Sequence, residues 1–290
     1  MSLPLFILGN PRSGTSLLRL MLTCHPQISI PPESAFIIWW KEKYSDWSAD
    51  ISEQKINEFI DDLFSSSKFE FWGMSRSALS EAIFIQNASN YANLMALIYI
   101  LYAKKIGKSE LRYWGDKNNY YVGFIDELYT LFPDARFIQI VRDARDVATS
   151  YTSLQAEKGK SQYYPNLPHD LKKIAIEWNE NNSKIHRSFQ VIPNEQKYII
   201  RYEDLVMEPQ KRMMAICEFL GLDYSQKMLE YYKYNQKYYI EPKEFKAWKS
   251  KTFQPIDSNE VKKYTTLLSV EEQAVIETWA SESLKRYKYL

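Results

Sequence analysis

The chain has little cysteine, almost no net charge and no long apolar run, and each shortage removes a class of protein. Its two cysteines, Cys24 and Cys217, are too few and too far apart for a disulfide framework or a thiolate metal site. The 37 Lys and Arg against 36 Asp and Glu leave a formal charge of +1, so no bulk field draws in nucleic acid or an anionic membrane. No stretch approaches the roughly 18 to 20 consecutive apolar residues of a membrane-spanning helix. The opening Met1-Ser-Leu-Pro-Leu-Phe-Ile-Leu-Gly9 lacks the positive start and small-residue cleavage site of a signal peptide. The expectation is therefore a cytoplasmic protein with neither a nucleic-acid nor a membrane partner. Histidine is scarce as well: His25, His169 and His186 are scattered and form no ligand cluster with the cysteines, so no metal is expected. Fixed-period repeats, low-complexity tracts and convincing linkers are also missing, which favours one domain over residues 1–290.

What is present suits a folded chain with a sizeable core: 290 residues, 45% hydrophobic and 25% charged. The unusual figure is the aromatic content of 15%, with 22 Tyr, 14 Phe and 8 Trp. Leu5 to Leu8 reads as a buried strand, followed by a turn from Gly9 to Gly14 and an apolar-periodic helix through Leu17, Leu18, Leu20, Met21 and Leu22. Residues 33 to about 108 read as several helices ending in the stretch Asn87 to Lys105, with 36–110 as a helical insertion. A short strand around Tyr113 leads to a turn at Gly115-Asp-Lys-Asn118, and a helix then ends near Phe132-Pro133-Asp134. Arg136-Phe-Ile-Gln-Ile-Val141 is short, apolar and β-rich, as a central parallel strand buried on both faces is. A helix from near Asp143, a helix Leu171 to Phe189, a strand Tyr198 to Arg201 and a helix Gln210 to Leu220 continue the alternation, with Gly221 ending the last helix. Such alternation implies an α/β fold with a central parallel sheet flanked by helices on both faces and interrupted by helical insertions.

The octapeptide Gly9-Asn-Pro-Arg-Ser-Gly-Thr-Ser16 lies where a strand feeds a helix. Glycines there allow close backbone approach, and free N–H groups at the helix start attract an anion. The spacing of Gly9 and Gly14 matches the P-loop of nucleoside-triphosphate enzymes, but Thr15 stands where that motif requires Lys. The nearest cation is Arg12, whose planar fork suits a multi-oxygen anion. The plainer alternative is an ordinary turn with Ser13 as helix N-cap.

At these residues the chain resembles the sulfotransferases that use 3′-phosphoadenosine 5′-phosphosulfate (PAPS), which have a P-loop-like fold. Pro11-Arg-Ser-Gly-Thr-Ser16 is similar to their 5′-phosphosulfate loop, in the bacterial and tyrosylprotein-type branch where Arg replaces Lys. Arg136 to Tyr151 resembles the 3′-phosphate segment, with Arg142 and Ser150 eight residues apart, and His25-Pro26 with Pro32-Glu33-Ser34, Gly115-Asp-Lys117 and Arg201-Tyr-Glu-Asp-Leu205 match further blocks in order. The resemblance implies transfer of a sulfuryl group from PAPS to a small-molecule acceptor, leaving 3′-phosphoadenosine 5′-phosphate (PAP). Arg12, Ser13, Gly14, Thr15 and Ser16 would cradle the 5′-phosphosulfate, Arg142 and Ser150 the 3′-phosphate, and Tyr202 the adenine. Arg12 and Lys117 would stabilise the transferring group, with a solvated loop lysine as the alternative for Lys117. The cytosolic branch carries a His where this chain has Asn119, and Asn is no base.

Glu33, 21 residues after Arg12, stands at the position of the tyrosylprotein branch's catalytic carboxylate. Phe36, Trp39 and Trp40 nearby offer an apolar setting that would raise its pKa toward neutrality; a helix-start role is the alternative. Trp248-Lys-Ser-Lys-Thr252 is similar to the family's basic cover over the 3′-phosphate, making Lys249, Ser250 and Lys251 ligands or a solvated charge run. Asp143 and Asp146 read as supports of their helix start. Phe36, Trp39, Trp40, Phe69, Phe71 and Trp72 either frame an apolar acceptor cavity or form helix core. The competing activities are a magnesium-dependent P-loop kinase or NTPase, a tyrosylprotein-type sulfotransferase, and a non-catalytic nucleotide binder.

Overall fold

The computed structural model describes residues 2–154, 161–238 and 240–290. Strand β1 (Leu3–Leu8) lies at the centre of a five-stranded sheet, between β3 (Tyr113–Lys117) and β4 (Arg136–Val141). The strand β2 (Ile28–Ser29) extends the β3 side and β5 (Lys197–Arg201) the β4 side, giving the order β2-β3-β1-β4-β5 with every pairing parallel. Alternate β1 residues serve opposite faces. Phe6 and Leu8 join one core cluster, with Phe36, Trp72 and Tyr99, while Leu5 and Ile7 join another, with Leu18, Met21 and Leu205. Both faces are thus covered, which is why β1 reads as a continuous apolar run.

After β1 the chain travels to the β3 side, and after β4 it travels to the β5 side. The crevice between the carboxyl ends of these two strands is the position at which open α/β sheets bind ligands. Helix α1 (Thr15–Thr23) follows β1, and the helix Ala144–Leu154 follows β4. Between β2 and β3 the chain is helical, with helices Glu53–Ser65, Arg76–Gln86 and Tyr91–Lys105. The stretch expected to run unbroken from Asn87 is divided. Asn87 ends one helix in the left-handed region at φ 46°, and the Asn90 side chain caps the next by accepting from the Asn93 N–H at 2.9 Å.

Gly115, Asp116 and Lys117 also differ from expectation. They are the last three residues of β3, where Leu5, Phe6 and Ile7 of β1 pair with them, and the extended ladder replaces the anticipated turn. The helices Leu171–Ser188 and Pro209–Leu220 fall where the periodicity puts them, and Gly221 closes the second at φ 64°. Among the described residues no helix is long and apolar enough to cross a membrane.

Candidate active site

The turn after β1 is held open by two left-handed residues, Arg12 at φ 67° and Gly14 at φ 94°. Such backbone is strained for arginine and free for glycine. A Cβ at Gly14 would stand 2.5 Å from the Tyr202 ring, so the missing side chain lets that ring lie against the turn. α1 then starts at Thr15 with Gly14 as its cap and no side-chain acceptor, which removes Ser13 from the N-cap role. Ser13 is fully buried, and its Oγ has no hydrogen-bond partner among the described residues. A buried hydroxyl so placed is costly unless a ligand completes it.

Arg12 turns across the crevice. Its Nε donates to Ser150 Oγ at 3.0 Å and a terminal nitrogen donates to the Trp248 carbonyl at 2.9 Å. Burial, and then the adjacent Arg142, push the guanidinium down to about 10, which leaves it a cation at neutral pH. Arg142 emerges at the end of β4, lies 4.5 Å over the Tyr202 ring, and donates to the Arg12 carbonyl at 3.3 Å and the Glu260 carbonyl at 2.8 Å. The structure thus gathers Arg12, Arg142, Ser150 and Tyr202 from three chain segments. Of the two neighbouring aspartates, Asp143 accepts from the Arg145 N–H at 2.9 Å at the helix start. Asp146 instead pins a distant segment, accepting from the N–H groups of Lys262 at 2.8 Å and Tyr264 at 3.0 Å.

At the end of β3, Lys117 is 1% exposed, which excludes a solvated loop lysine. Its ammonium donates to Glu33 Oε1. Glu33 also takes Lys68 at 3.1 Å and Lys249 at 3.2 Å, so three ammonium groups from distant parts of the chain meet one carboxylate. Burial, then Lys249, Arg19 and Arg12, push Lys117 well below the ordinary lysine range, with Glu241 pulling the other way.

The rings expected to give Glu33 an apolar setting lie elsewhere. Phe36 is buried in the core against Phe69, Trp72 and Tyr99 at 5.3 to 5.6 Å, and Trp39 and Trp40 line a separate groove with Tyr120 and Phe124. The aromatic cluster acts on Glu33 through its neighbours in the chain. Trp72 donates its indole N–H to the Pro32 carbonyl at 2.9 Å, and Ser34 is tied to Ser67 at 3.1 Å.

The segment from Glu241 to Glu260 covers the crevice. Lys249 pairs with Glu33 and with Glu241, while Lys251 pairs with Glu260 at the Arg142 end. The two lysines therefore serve opposite ends of the site, and Ser250 is exposed and outside the lining. The cavity measures about 240 Å³. Gly14, Thr15 and Ser16 line it together with six cations, Arg12, Lys68, Lys117, Arg142, Lys249 and Lys251, against three carboxylates, Glu33, Asp257 and Glu260. A chain of nearly neutral composition thus carries a locally cationic cavity at the crevice, as a multiply charged anion requires. Its aromatic lining is Tyr163, Tyr202, Tyr231, Phe245 and Trp248, so the rings proposed between Phe36 and Trp72 are not the lining. Lys68, Tyr163 and Phe245 carry no local motif that marks them.

The sulfotransferase family model matches residues 4–226, which take in the turn, Glu33, Lys117, Arg142 and Tyr202. The chain belongs to the sulfotransferase family. A putative protein-tyrosine sulfotransferase of Caenorhabditis briggsae is 24% identical over 233 residues, 79% of this chain and 69% of that protein. The chain spans about half the length of two further protein-tyrosine sulfotransferases, from Gallus gallus and Caenorhabditis elegans. Among solved structures, the sulfotransferase domain of the Synechococcus PCC 7002 olefin synthase superposes with a TM-score of 0.61 at 24% identity, over 96% of this chain and 95% of that domain. A mouse sulfotransferase complexed with PAP gives a TM-score of 0.52 at 12% identity, over 97% and 84% of the two chains. These likenesses establish the sulfotransferase fold. Lys249, Lys251 and Glu241 lie beyond the segment that the family model matches.

Proposed function

We propose that this enzyme moves a sulfuryl group from PAPS to a hydroxyl or amine of a small-molecule acceptor by direct in-line displacement. The observation that carries the reading is the convergence of Arg12, Glu33 and Lys117 on one cavity with Arg142, Ser150 and Tyr202. The residues fit such a donor: Ser13 Oγ and Arg142 Nε are buried without partners among the described residues, and cations outnumber carboxylates in the lining. When bound, PAPS supplies a sulfuryl group already attached to a good leaving group, so the protein's work is alignment and charge neutralisation.

Arg12 and the N–H groups at the start of α1 hold the phosphosulfate end. Arg142 and Ser150 hold the 3′-phosphate, with the Tyr202 ring against the adenine. Lys117 faces the group being transferred. The lysines that pair with Glu33 find a stronger anion in the donor, which frees a carboxylate oxygen. Glu33 then takes the acceptor's proton as the new oxygen–sulfur or nitrogen–sulfur bond forms. The sulfur–oxygen bond to the 5′-phosphate breaks, and its electron pair leaves on the phosphate.

Tyr163, Phe245 and Trp248 favour an acceptor with an apolar or aromatic body. The names of the curated relatives favour a second reading, a tyrosyl side chain of a peptide. Thr15 at the place of the Walker lysine weighs against a kinase or NTPase. An acceptor panel of 4-nitrophenol, tyramine, a long-chain alcohol and a tyrosyl peptide, incubated with PAPS, distinguishes these readings. A mass gain of one sulfuryl group on a small acceptor supports the first, a gain on the peptide alone the second, and no gain on any overturns both.

A further inference from the structure

The family model ends at residue 226, yet the most buried charge pairs of the site lie on either side of that limit. Arg19 and Glu241 are each 1% exposed and pair at 2.9 Å. Arg19 projects from α1, and its guanidinium also donates to the carbonyls of Ile30 at 3.0 Å and Ile240 at 3.1 Å. Glu241 is fixed from its own side, since its N–H donates to Asn235 Oδ1 at 2.7 Å. Its second carboxylate oxygen accepts from Lys249 at 2.8 Å, and the Lys249 ammonium lies 3.2 Å from Glu33 Oε1, the oxygen that also meets Lys117. A chain of charges thus runs Arg19, Glu241, Lys249, Glu33, Lys117. Burial pushes Glu241 up, but Lys249, Arg19 and Lys117 outweigh it and hold the carboxyl at about 2, so it stays ionised.

We propose that Lys249 is a second catalytic cation at the transfer centre, beside Lys117, and that Glu241, anchored by Arg19, is the residue that positions it there. This rests on the sulfotransferase reading and assigns Lys249 away from the 3′-phosphate, which Lys251 approaches from the Arg142 end. A side chain as long as lysine, placed at the end of the short helix Lys246–Lys249, has many rotamers. The buried Glu241 selects the one that points at Glu33. As sulfur–oxygen cleavage builds charge on the donor's phosphate and sulfuryl oxygens, Lys249 offsets it together with Lys117, beside which it meets Glu33 Oε1. Lys249 keeps its proton throughout, and the acceptor's proton goes to Glu33.

The test uses the full chain and follows PAP formation from PAPS with the fastest acceptor of the panel, alongside calorimetric PAP binding. Lys249→Met is expected to keep wild-type PAP affinity and KM for PAPS while kcat falls about 100-fold. Glu241→Gln is expected to lose about 10- to 100-fold in kcat. The double variant loses no more than Lys249→Met alone, because Glu241 acts through the lysine. Lys249→Arg recovers part of the rate. A Lys249→Met protein that turns over like wild type, or whose loss is confined to KM and PAP affinity, overturns the assignment. Additive losses in the double variant overturn the positioning role even if Glu241→Gln alone folds poorly. A wild-type chain that moves no sulfuryl group overturns the underlying reading instead, and the inference with it.

Discussion

Replacing Asp116 with Asn tests the electrostatics beneath the active site. Asp116 is fully buried on β3, one residue before Lys117, and one of its oxygens accepts from the hydroxyls of Tyr99 and, at 2.7 Å, Tyr121. Its other oxygen has no partner among the described residues. Burial dominates the two tyrosine donors and raises the carboxyl from 3.8 to about 7. Between those two pH values the folded protein holds a proton that the unfolded chain has released. Stability therefore falls as pH rises through the window and levels off above about 7. About three pH units at 1.36 kcal/mol each amount to about 4 kcal/mol. Asp116→Asn keeps the shape, accepts the tyrosine hydroxyls and cannot ionise, so its stability lacks this slope. Urea denaturation of both proteins at several pH values from 4 to 8 should show Asp116→Asn gaining on the wild type by most of that amount. A stability difference that does not change with pH would show that Asp116 is ionised throughout this range in the folded protein.

Two further substitutions separate binding from chemistry. Gly14→Ala places a Cβ against the Tyr202 ring at positive φ, a strain of about 1–2 kcal/mol before the ring moves, so PAP affinity should fall roughly tenfold or more in calorimetry. Unchanged affinity would show that this turn does not hold the nucleotide. Glu33→Gln should bind PAP normally and transfer slowly, with kcat down about 100-fold or more, and equal turnover would move the base elsewhere.

The strand–turn–helix at Gly9 to Ser16 and the emergence of Arg142 from a buried strand were legible because both are local patterns with a single structural meaning. Order along the chain was legible; order across the sheet was not, since the two-residue edge strand Ile28–Ser29 carries no periodicity. Lys117 shows the same limit. Its Gly-Asp neighbours resemble a turn, and only pairing with β1 reveals a strand. Glu33 is the sharpest case. Nearby tryptophans suggest an apolar setting, but the carboxylate is surrounded by Lys68, Lys117 and Lys249, which sequence separation hides. Arg19 did carry a signal, a charge within the buried apolar face of α1, whose partner Glu241 lies 222 residues away. The aromatic excess likewise packs the helical layer beside the sheet, with Trp72 holding the backbone just before Glu33.

Whether the cavity at the crevice performs sulfuryl transfer from PAPS is decided by the stoichiometry of one reaction. With the purified chain, PAPS and a responding acceptor, PAP and sulfated acceptor are quantified together by mass spectrometry without added metal. Sulfuryl transfer makes them rise in equal amounts, and both stop when Arg12 is replaced by Ala. PAP released with no gain on any acceptor, or turnover of ATP with magnesium in place of PAPS, would contradict it.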